Sequence, residues 1–328
     1  MRIAILGAGA WGCAMGVLFA EAGHEVTLWE IDGGAADRLL RDRRHLYLGV
    51  RLADAIEITS DLAAAVRDRQ LVILATPSEF VRATLRDVAA GLPSGVPVVC
   101  ATKGLEADSH MTMDRVIADV LPGTPFALLS GPTFAKEIAS GLPAAMVAAS
   151  ANDAVAATVQ AGLSSARLRV YTSDDVIGVA LAGALKNVVA IAVGVSDGLG
   201  MGGNARAAMI TRGLSEMGRL ASRLGAHPLT MAGLAGLGDL VLTCTGDLSR
   251  NRQVGLALGR GENLSDVLAR LGQVAEGVET SRIAAELAAK VGVAMPITAN
   301  VSAVLHAGKP TRQAMTEILS RDTRAERD

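Results

Sequence analysis

The chain has 328 residues, more than the roughly 250 to 300 at which a single core stops growing, so two domains are expected. Its formal net charge of -2 and pI near 6.2 exclude the basic excess with which proteins bind nucleic acid non-specifically. Apolar residues make up 50% of the chain and aromatic residues only 2%, which predicts an aliphatic core of helices packed against a sheet.

Short apolar runs alternate with helical segments in the first half of the chain. Several runs, such as Leu71-Val72-Ile73-Leu74, are apolar at every position, which is typical of strands covered on both faces. Strands are predicted at residues 2–6, 25–30, 71–76, 96–102, 126–130, 144–149 and 167–172. The pattern indicates an α/β fold whose first domain, residues 1–176, is a Rossmann-like, doubly wound parallel sheet.

After about residue 174 the apolar spacing becomes helical, with glycines between segments. This predicts an all-helical second domain over residues 177–328 that binds substrate. Asn204 is a predicted N-cap for a helix that ends at Gly225, and Pro296 and Pro310 bracket a later segment. The charged tail, residues 321–328, is assigned no function.

The segment Gly7-Ala8-Gly9-Ala10-Trp11-Gly12 follows the first predicted strand and opens an alanine-rich helix. Glu30 closes the second predicted strand about 20 residues later, the spacing of a ribose-binding acid in dinucleotide sites. The segment predicts an NAD site, with an ordinary glycine turn as the alternative. Glu30 favours NAD over NADP because it repels a 2′-phosphate. Nearby arginines could still accept that phosphate: Arg38, Arg41, Arg43 and Arg44.

Lys186 interrupts an apolar helical run, and lysine is rarely buried without a partner. The alternative is a surface lysine whose stem covers apolar groups. Lys103 follows a predicted strand and should stand at the carboxyl edge of the sheet, where ligands bind in this architecture. Two amines in one crevice would lower each other's pKa, and Asp239 would oppose this. The sequence leaves open which effect is larger, but it predicts a lysine that acts as an acid or base.

Two further segments suit a small anionic substrate. The segment Ser130-Gly131-Pro132-Thr133 precedes a predicted helix, and its backbone amides could hold substrate oxygens; a plain strand-to-helix turn is the alternative. Ser249-Arg250-Asn251-Arg252 combines a guanidinium with an amide and suits a phosphate, with a solvated helix start as the alternative. Hydrolase and kinase signatures are absent from the sequence.

The three cysteines, Cys13, Cys100 and Cys244, fit neither a disulfide framework nor a metal motif, and the histidines have no metal spacing. Lys186 and Asp239 interrupt the two longest apolar stretches, and the apolar start of the chain is too short for a secretory signal. These features predict a cytoplasmic protein with no metal site and no membrane span.

Taken in order, these segments resemble the bacterial NAD(P)-dependent sn-glycerol-3-phosphate dehydrogenase family, from about residue 2 to about residue 320. The most specific matches are residues 7–12, 101–106, 130–137, 185–188, 204–213, 236–245, 249–252 and 276–277. The resemblance implies a cytoplasmic homodimer that uses NAD or NADP to interconvert dihydroxyacetone phosphate and sn-glycerol 3-phosphate, a precursor of glycerophospholipids.

The resemblance also implies residue roles. Lys186 would be the general acid/base, assisted by Lys103 and Asp239. Substrate contacts would fall on Lys103, Gly131, Thr133, Lys186, Asp239, Ser249, Arg250 and Asn251. Cofactor contacts would fall on Ala10, Trp11, Lys103, Ala135, Arg250, Val274 and Glu276, beside Gly7, Gly9, Gly12 and Glu30 from the glycine motif. Two positions depart from the family pattern: Cys13 replaces a threonine and places a thiol near the pyrophosphate, and Gly49 replaces a proline.

Two other functions compete with this one. A 3-hydroxyacid or 6-phosphogluconate-type dehydrogenase shares the two-domain plan and a catalytic lysine followed by asparagine, but takes a carboxylate substrate. A non-catalytic regulator that senses NADH would need the glycine motif, yet it would have no use for Lys186 with Asp239 and Arg250.

Overall fold

The computed structural model describes residues 1–320, and the charged tail lies outside the described residues. An eight-stranded sheet has the order β3-β2-β1-β4-β5-β6-β7-β8. Its strands are β1 (Arg2–Leu6), β2 (Glu25–Trp29), β3 (Glu57–Thr59), β4 (Leu71–Leu74), β5 (Val98–Cys100), β6 (Phe126–Ser130), β7 (Ala144–Ala149) and β8 (Leu168–Ser173). The first six strands follow the order of dinucleotide-binding sheets.

Helices cover both faces of the sheet and form most of the second half. In the first half they are α1 (Ala10–Glu21), α2 (Gly33–Asp42), α3 (Leu62–Val66), α4 (Val81–Val88), α5 (Met113–Val120), α6 (Ala135–Ala139) and α7 (Asp153–Leu163). In the second half they are α8 (Val176–Gly198), α9 (Gly202–Arg223), α10 (Pro228–Ala232), α11 (Asp239–Thr245), α12 (Arg250–Gly259), α13 (Leu264–Leu271), α14 (Gly277–Val291), α15 (Pro296–His306) and α16 (Thr311–Leu319). The predicted combination of a Rossmann-like sheet with a helical second half is confirmed.

Successive side chains along a strand pack into two different hydrophobic clusters, one on each face of the sheet. Ile3 and Ile5 of β1 pack in one cluster with residues of α1, whereas Ala4 and Leu6 pack in another. Because both faces are covered, every residue of β4 is buried. The second cluster continues without a break into α8, so the two halves of the chain share a core.

All seven predicted runs contain a strand, but the sheet differs from the prediction in two ways. The edge strand β3 was not predicted, because it has only three residues and begins at the exposed Glu57. The prediction of a parallel sheet is wrong for one pair, since β7 runs antiparallel to β6. A buried strand is apolar whichever way it runs, so its direction leaves no trace in the apolar pattern.

The central element of the helical half is α8, in which 18 of 23 residues are buried. It packs closely against α12 through glycines on both helices. A Cβ atom on Gly194 would lie 2.2 Å from the carbonyl oxygen of Arg252, and one on Gly255 would lie 2.0 Å from that of Ile191. Only glycine permits this approach, which brings the start of α12 beside Lys186.

Two helical stretches among residues 1–320 are long and apolar enough to span a membrane by length and composition, Val176–Gly198 and Pro228–Thr245. In the first, 83% of the apolar window is buried inside the protein, as in the core helix of a globular protein. Lys186 and Asp239 belong to these two stretches and pair with each other. Such stretches are weak evidence for a membrane span.

The predicted N-cap at Asn204 is wrong. The helix α9 begins at Gly202 after Met201, whose side chain makes no capping hydrogen bond, so Asn204 lies inside the first turn. The predicted end is confirmed, because α9 stops before Gly225, which has φ +94°. A polar side chain suited to capping marks the neighbourhood of a helix start better than its exact residue.

Candidate active site

The glycine turn lies at the carboxyl edge of the sheet. Leu6 pairs with Trp29, so Gly7 and Glu30 leave the sheet side by side. A Cβ atom on Gly12 would lie 1.8 Å from the carbonyl oxygen of Gly7, whereas one on Gly9 would meet nothing within 4 Å. Gly12 therefore packs tightly against Gly7, whereas the space beside Gly9 is open. This space leaves room for a pyrophosphate to approach the backbone.

The start of α1 offers backbone amides to this space. Gly9 caps α1 without a side-chain hydrogen bond, so the N–H groups of the first turn, at Ala10, Trp11 and Gly12, have no partner within the helix. The helix N-terminus adds a partial positive charge. Ala135 opens α6, which packs against α1. The free amides at the start of α1 and the neighbouring start of α6 fit the pyrophosphate of a dinucleotide.

The two departures from the family pattern have local explanations. Cys13 is buried, burial raises the pKa of its thiol to about 12, and its Sγ donates to the carbonyl oxygen of Ala8 at 3.1 Å. Cys13 thus lies near the glycine turn, as expected, but its thiol faces the protein interior. Gly49 has φ +72°, a left-handed conformation that proline cannot adopt.

A single carboxylate joins two lysines from opposite halves of the chain. Oδ2 of Asp239 lies 2.6 Å from Nζ of Lys103, and Oδ1 lies 2.9 Å from Nζ of Lys186. The exposed fractions of the Asp239 and Lys186 side chains are 3% and 8%. The alternative of a surface lysine is wrong for Lys186, because its amine is buried beside a carboxylate.

Burial is the main influence on the acidity of this cluster. It lowers the pKa of Lys186 to about 8; Asp239 opposes the change and Lys103 adds to it. Burial alone would raise the pKa of Asp239, but the two ammonium groups outweigh it and hold that pKa below its usual range. Lys186 can therefore gain or lose a proton near neutral pH while Asp239 stays ionised.

Each lysine keeps one N–H free of the partners described above. An ammonium has three donors. Those of Lys186 reach Asp239 Oδ1 and Thr243 Oγ1, the latter at 2.8 Å, and those of Lys103 reach Asp239 Oδ2 and the Gly131 carbonyl oxygen at 3.1 Å. Each amine can donate its remaining hydrogen to a substrate oxygen.

Asn251 connects three helices beside Lys186. Its Nδ2 donates to Oδ1 of Asn187 at 2.9 Å, and its Oδ1 accepts from the backbone N–H of Gly277 at 2.9 Å. A Cβ atom on Gly277 would lie 2.6 Å from the Asn187 carbonyl oxygen, so glycine is required there. One amide hydrogen of Asn251 remains for a ligand.

The two arginines of the 249–252 segment differ in their surroundings. Arg250 is exposed and donates from Nη1 to the carbonyl oxygen of Val274 at 2.6 Å, which leaves most of its guanidinium free. Arg252 is buried and paired with Asp197 at 2.9 Å. Ser249 caps α12 by accepting from the Arg252 N–H at 3.2 Å. The alternative of a solvated helix start is therefore right about the helix start but wrong about solvation, because Ser249, Asn251 and Arg252 are buried.

The segment after β6 reaches from the sheet to the helical half. The carbonyl oxygen of Gly131 accepts from Lys103 and from Oγ1 of Thr133, the latter at 3.2 Å. A Cβ atom on Gly246, just after α11, would lie 2.4 Å from the Phe134 ring. This segment therefore contacts the lysine cluster through the carbonyl oxygen of Gly131. Its backbone amides, which the sequence predicted to hold substrate oxygens, remain a separate possible contact for a ligand.

Sequence reasoning missed two residues of this region. Thr243 lies four positions after Asp239 on α11, and this spacing places both on one helix face, a signal that could have found it. Ser78 donates to the carboxylate of Glu276 across the two halves. No local sequence pattern predicts the role of Ser78, because Ser78 and Glu276 are far apart in the sequence.

The sheet edge and the lysine cluster define the class, a two-domain dehydrogenase that uses a nicotinamide dinucleotide. Residues 2–156 match the family model for the N-terminus of NAD-dependent glycerol-3-phosphate dehydrogenase, and residues 175–316 match the model for its C-terminus. The chain belongs to the NAD-dependent glycerol-3-phosphate dehydrogenase family.

Sequence and structure matches to similar proteins cover nearly the whole chain. It is 50% identical to the glycerol-3-phosphate dehydrogenase [NAD(P)+] of Geobacter sulfurreducens, covering 99% of both chains. The protein of the same name from Anaeromyxobacter dehalogenans is 47% identical, with 99% of this chain and 100% of that one covered. The crystal structure of glycerol-3-phosphate dehydrogenase from Coxiella burnetii has a TM-score of 0.93 at 39% identity, covering 98% of this chain and 99% of that one.

Proposed function

We propose that this enzyme interconverts dihydroxyacetone phosphate and sn-glycerol 3-phosphate with NAD(H), and that it accepts NADP(H) less well. The observation that carries the proposal is the Asp239 carboxylate, which joins Lys103 beside the dinucleotide edge to Lys186 in the helical half. A carbonyl held there would meet two proton donors next to the coenzyme cradle. We also propose that the two functional halves divide at residues 176/177, in the first turn of α8, which begins at Val176.

The residues of the sheet edge, together with three from the helical half, would hold the coenzyme, which exchanges a hydride with the substrate carbon when bound. The proposed contacts are Gly7, Gly9, Ala10, Trp11, Gly12, Glu30, Lys103, Ala135, Arg250, Val274 and Glu276. Glu30 is half-buried and follows β2, where its carboxylate would bind ribose hydroxyls and repel a 2′-phosphate.

The substrate phosphate would bind away from the reacting carbon. Arg250 offers free guanidinium donors, Asn251 keeps one amide hydrogen, and Ser249 keeps its hydroxyl hydrogen. With these three, the proposed substrate contacts are Lys103, Gly131, Thr133, Lys186 and Asp239. Binding energy gained at the phosphate orients the carbonyl carbon for reaction.

Lys186 transfers the proton in this proposal. Protonated Lys186 donates its free hydrogen to the oxygen of the ketone as that oxygen gains negative charge, and Lys103 polarises the same oxygen. In the reverse direction the neutral amine accepts the proton of the alcohol. A pKa of about 8 suits both directions near neutral pH.

The cellular setting and the oligomeric state are proposed from the composition of the chain and from its family. The three buried free cysteines and the balanced charge suit a reducing cytoplasm, and the family's products suit glycerophospholipid synthesis. We also propose a homodimer, because the resemblance to the family implies one. Sedimentation equilibrium of the purified enzyme measures this directly, and a monomer at working concentrations would contradict it.

The reaction is tested by following NADH absorbance with dihydroxyacetone phosphate, and separately with a 3-oxo acid of similar size. A second assay follows NADP⁺ reduction with 6-phosphogluconate. The proposal expects turnover with dihydroxyacetone phosphate and little with either carboxylate. Turnover with a carboxylate alone would favour the related dehydrogenases, and absence of any turnover despite NADH binding would favour a regulator.

A further inference from the structure

Ser78 joins the two halves of the chain through two hydrogen bonds. It begins a short 3₁₀ turn, Ser78–Phe80, shortly after β4, and faces Glu276, the residue before α14. The Ser78 N–H donates to Oε1 of Glu276 at 3.1 Å, and the Ser78 hydroxyl donates to Oε2 at 2.5 Å. The carboxylate is thereby held by two donors of one residue in a fixed orientation.

The bridge lies against the residue that follows Lys103. A Cβ atom on Gly104 would lie 2.6 Å from Oγ of Ser78 and 3.2 Å from Oε2 of Glu276. No side chain fits at Gly104 while the bridge is formed. The contact between the halves therefore lies next to the lysine cluster rather than at the outer rim of the molecule.

Glu276 belongs to a segment that supports the proposed phosphate site from behind. In that segment, Val274 accepts from Nη1 of Arg250 at 2.6 Å, and the Gly277 N–H donates to Asn251 at 2.9 Å. Both supported side chains are proposed phosphate ligands. Of residues 274–277, Glu276 is the one with described side-chain hydrogen bonds to the first half of the chain, and its partner there is Ser78, in the turn after β4.

We propose that Ser78 is a positioning residue for the substrate phosphate: by holding Glu276, it fixes residues 274–277 and so the orientation of Arg250 and Asn251. The proposal rests on the proposed function, because it assumes a phosphorylated substrate. Other contacts also join the halves, including Lys103 with Asp239 and His110 with Glu286 at 2.8 Å. Loss of the Ser78 bridge should therefore misplace the phosphate site without separating the halves.

The test compares two substrates that differ only in the phosphate, dihydroxyacetone phosphate and dihydroxyacetone, at saturating NADH. Ser78→Ala removes the hydroxyl hydrogen bond to Glu276 and keeps the one from the backbone N–H. In this variant kcat/KM for the phosphorylated substrate should fall about 10-fold, as expected for the loss of one hydrogen bond to a charged group. The value for dihydroxyacetone should change less than about 2-fold, because it cannot use the phosphate site and because saturating NADH offsets any weaker coenzyme contact at Glu276. Ser78→Thr, which keeps the hydroxyl, should recover most of the loss.

Ser140→Ala is the matched control, because that hydroxyl bonds only its own helix, at the Lys136 carbonyl oxygen, and neither substrate should be affected. An equal loss for both substrates, or no loss for either, would overturn the role of Ser78. Thermal melting of each variant separates such an equal loss from misfolding. Failure of the unchanged enzyme to reduce dihydroxyacetone phosphate would instead overturn the proposed function.

Discussion

Lys186 and Asp239 form a buried ion pair in which Nζ and Oδ1 are 2.9 Å apart and less than a tenth of either side chain is exposed. Burial disfavours the charge of the lysine, and the carboxylate restores part of it. The balance leaves the pKa of Lys186 at about 8. A proton donor of this kind is poised near neutral pH, which an exposed lysine is not.

The pH dependence of the reaction should follow Lys186. Ketone reduction needs the protonated amine, so kcat/KM for dihydroxyacetone phosphate should fall as pH rises through about 8. Asp239 raises the pKa of Lys186, so Asp239→Asn should move this midpoint to lower pH by about 1 to 3 units. Lys186 can lose its proton, so the variant does not trap an unpaired buried charge. Asp266→Asn, an exposed aspartate of α13, is the control; a midpoint that stays or moves upward in Asp239→Asn contradicts this prediction.

The close contact between α8 and α12 should be sensitive to one methyl group. Gly255→Ala places a Cβ atom 2.0 Å from the Ile191 carbonyl oxygen and should lower the free energy of unfolding by about 1 to 3 kcal/mol. Gly218→Ala on α9, where the nearest atom is 3.9 Å away, should instead raise it by about 0.5 to 1 kcal/mol. Urea denaturation measures both, and equal stability of the two variants would refute the packing argument.

Coenzyme preference should depend on Glu30. The enzyme should prefer NADH, and Glu30→Ser should improve kcat/KM for NADPH relative to NADH by about 10-fold, since it removes a Coulomb repulsion of about 1 to 2 kcal/mol. Glu25→Ser, at the opposite end of β2, should leave the ratio unchanged. A strong preference of the unchanged enzyme for NADPH would overturn the role given to Glu30.

The sequence predicted those parts of the fold that depend on local pattern. Wholly apolar runs located the strands, and the glycine turn located the dinucleotide edge. The direction of β7 was not predicted, because a buried strand is apolar whichever way it runs. The strand β3 was not predicted, because three residues at the edge of a sheet show little apolar pattern. Residue Asn204 shows that capping chemistry alone does not fix where a helix begins.

The site was predictable as a set of residues but not as a geometry. Lys103, Lys186 and Asp239 stood out because they are charged groups in apolar or glycine-rich surroundings. That one carboxylate would bridge both amines, and that burial would outweigh it at Lys186, depends on packing between distant segments. Ser78 escaped for the same reason, since its partner Glu276 lies in the other half of the chain.

The most direct test of the account is kcat for dihydroxyacetone phosphate reduction in Lys186→Met, at saturating substrate and NADH. Methionine keeps much of the apolar stem and removes the amine. The account predicts that kcat falls by a factor of about 10² to 10⁴. The dissociation constant for NADH, measured by fluorescence titration, should change less than about 2-fold. Lys290→Met, an exposed lysine of α14, should match the unchanged enzyme, whereas a near-normal kcat in Lys186→Met would contradict the account.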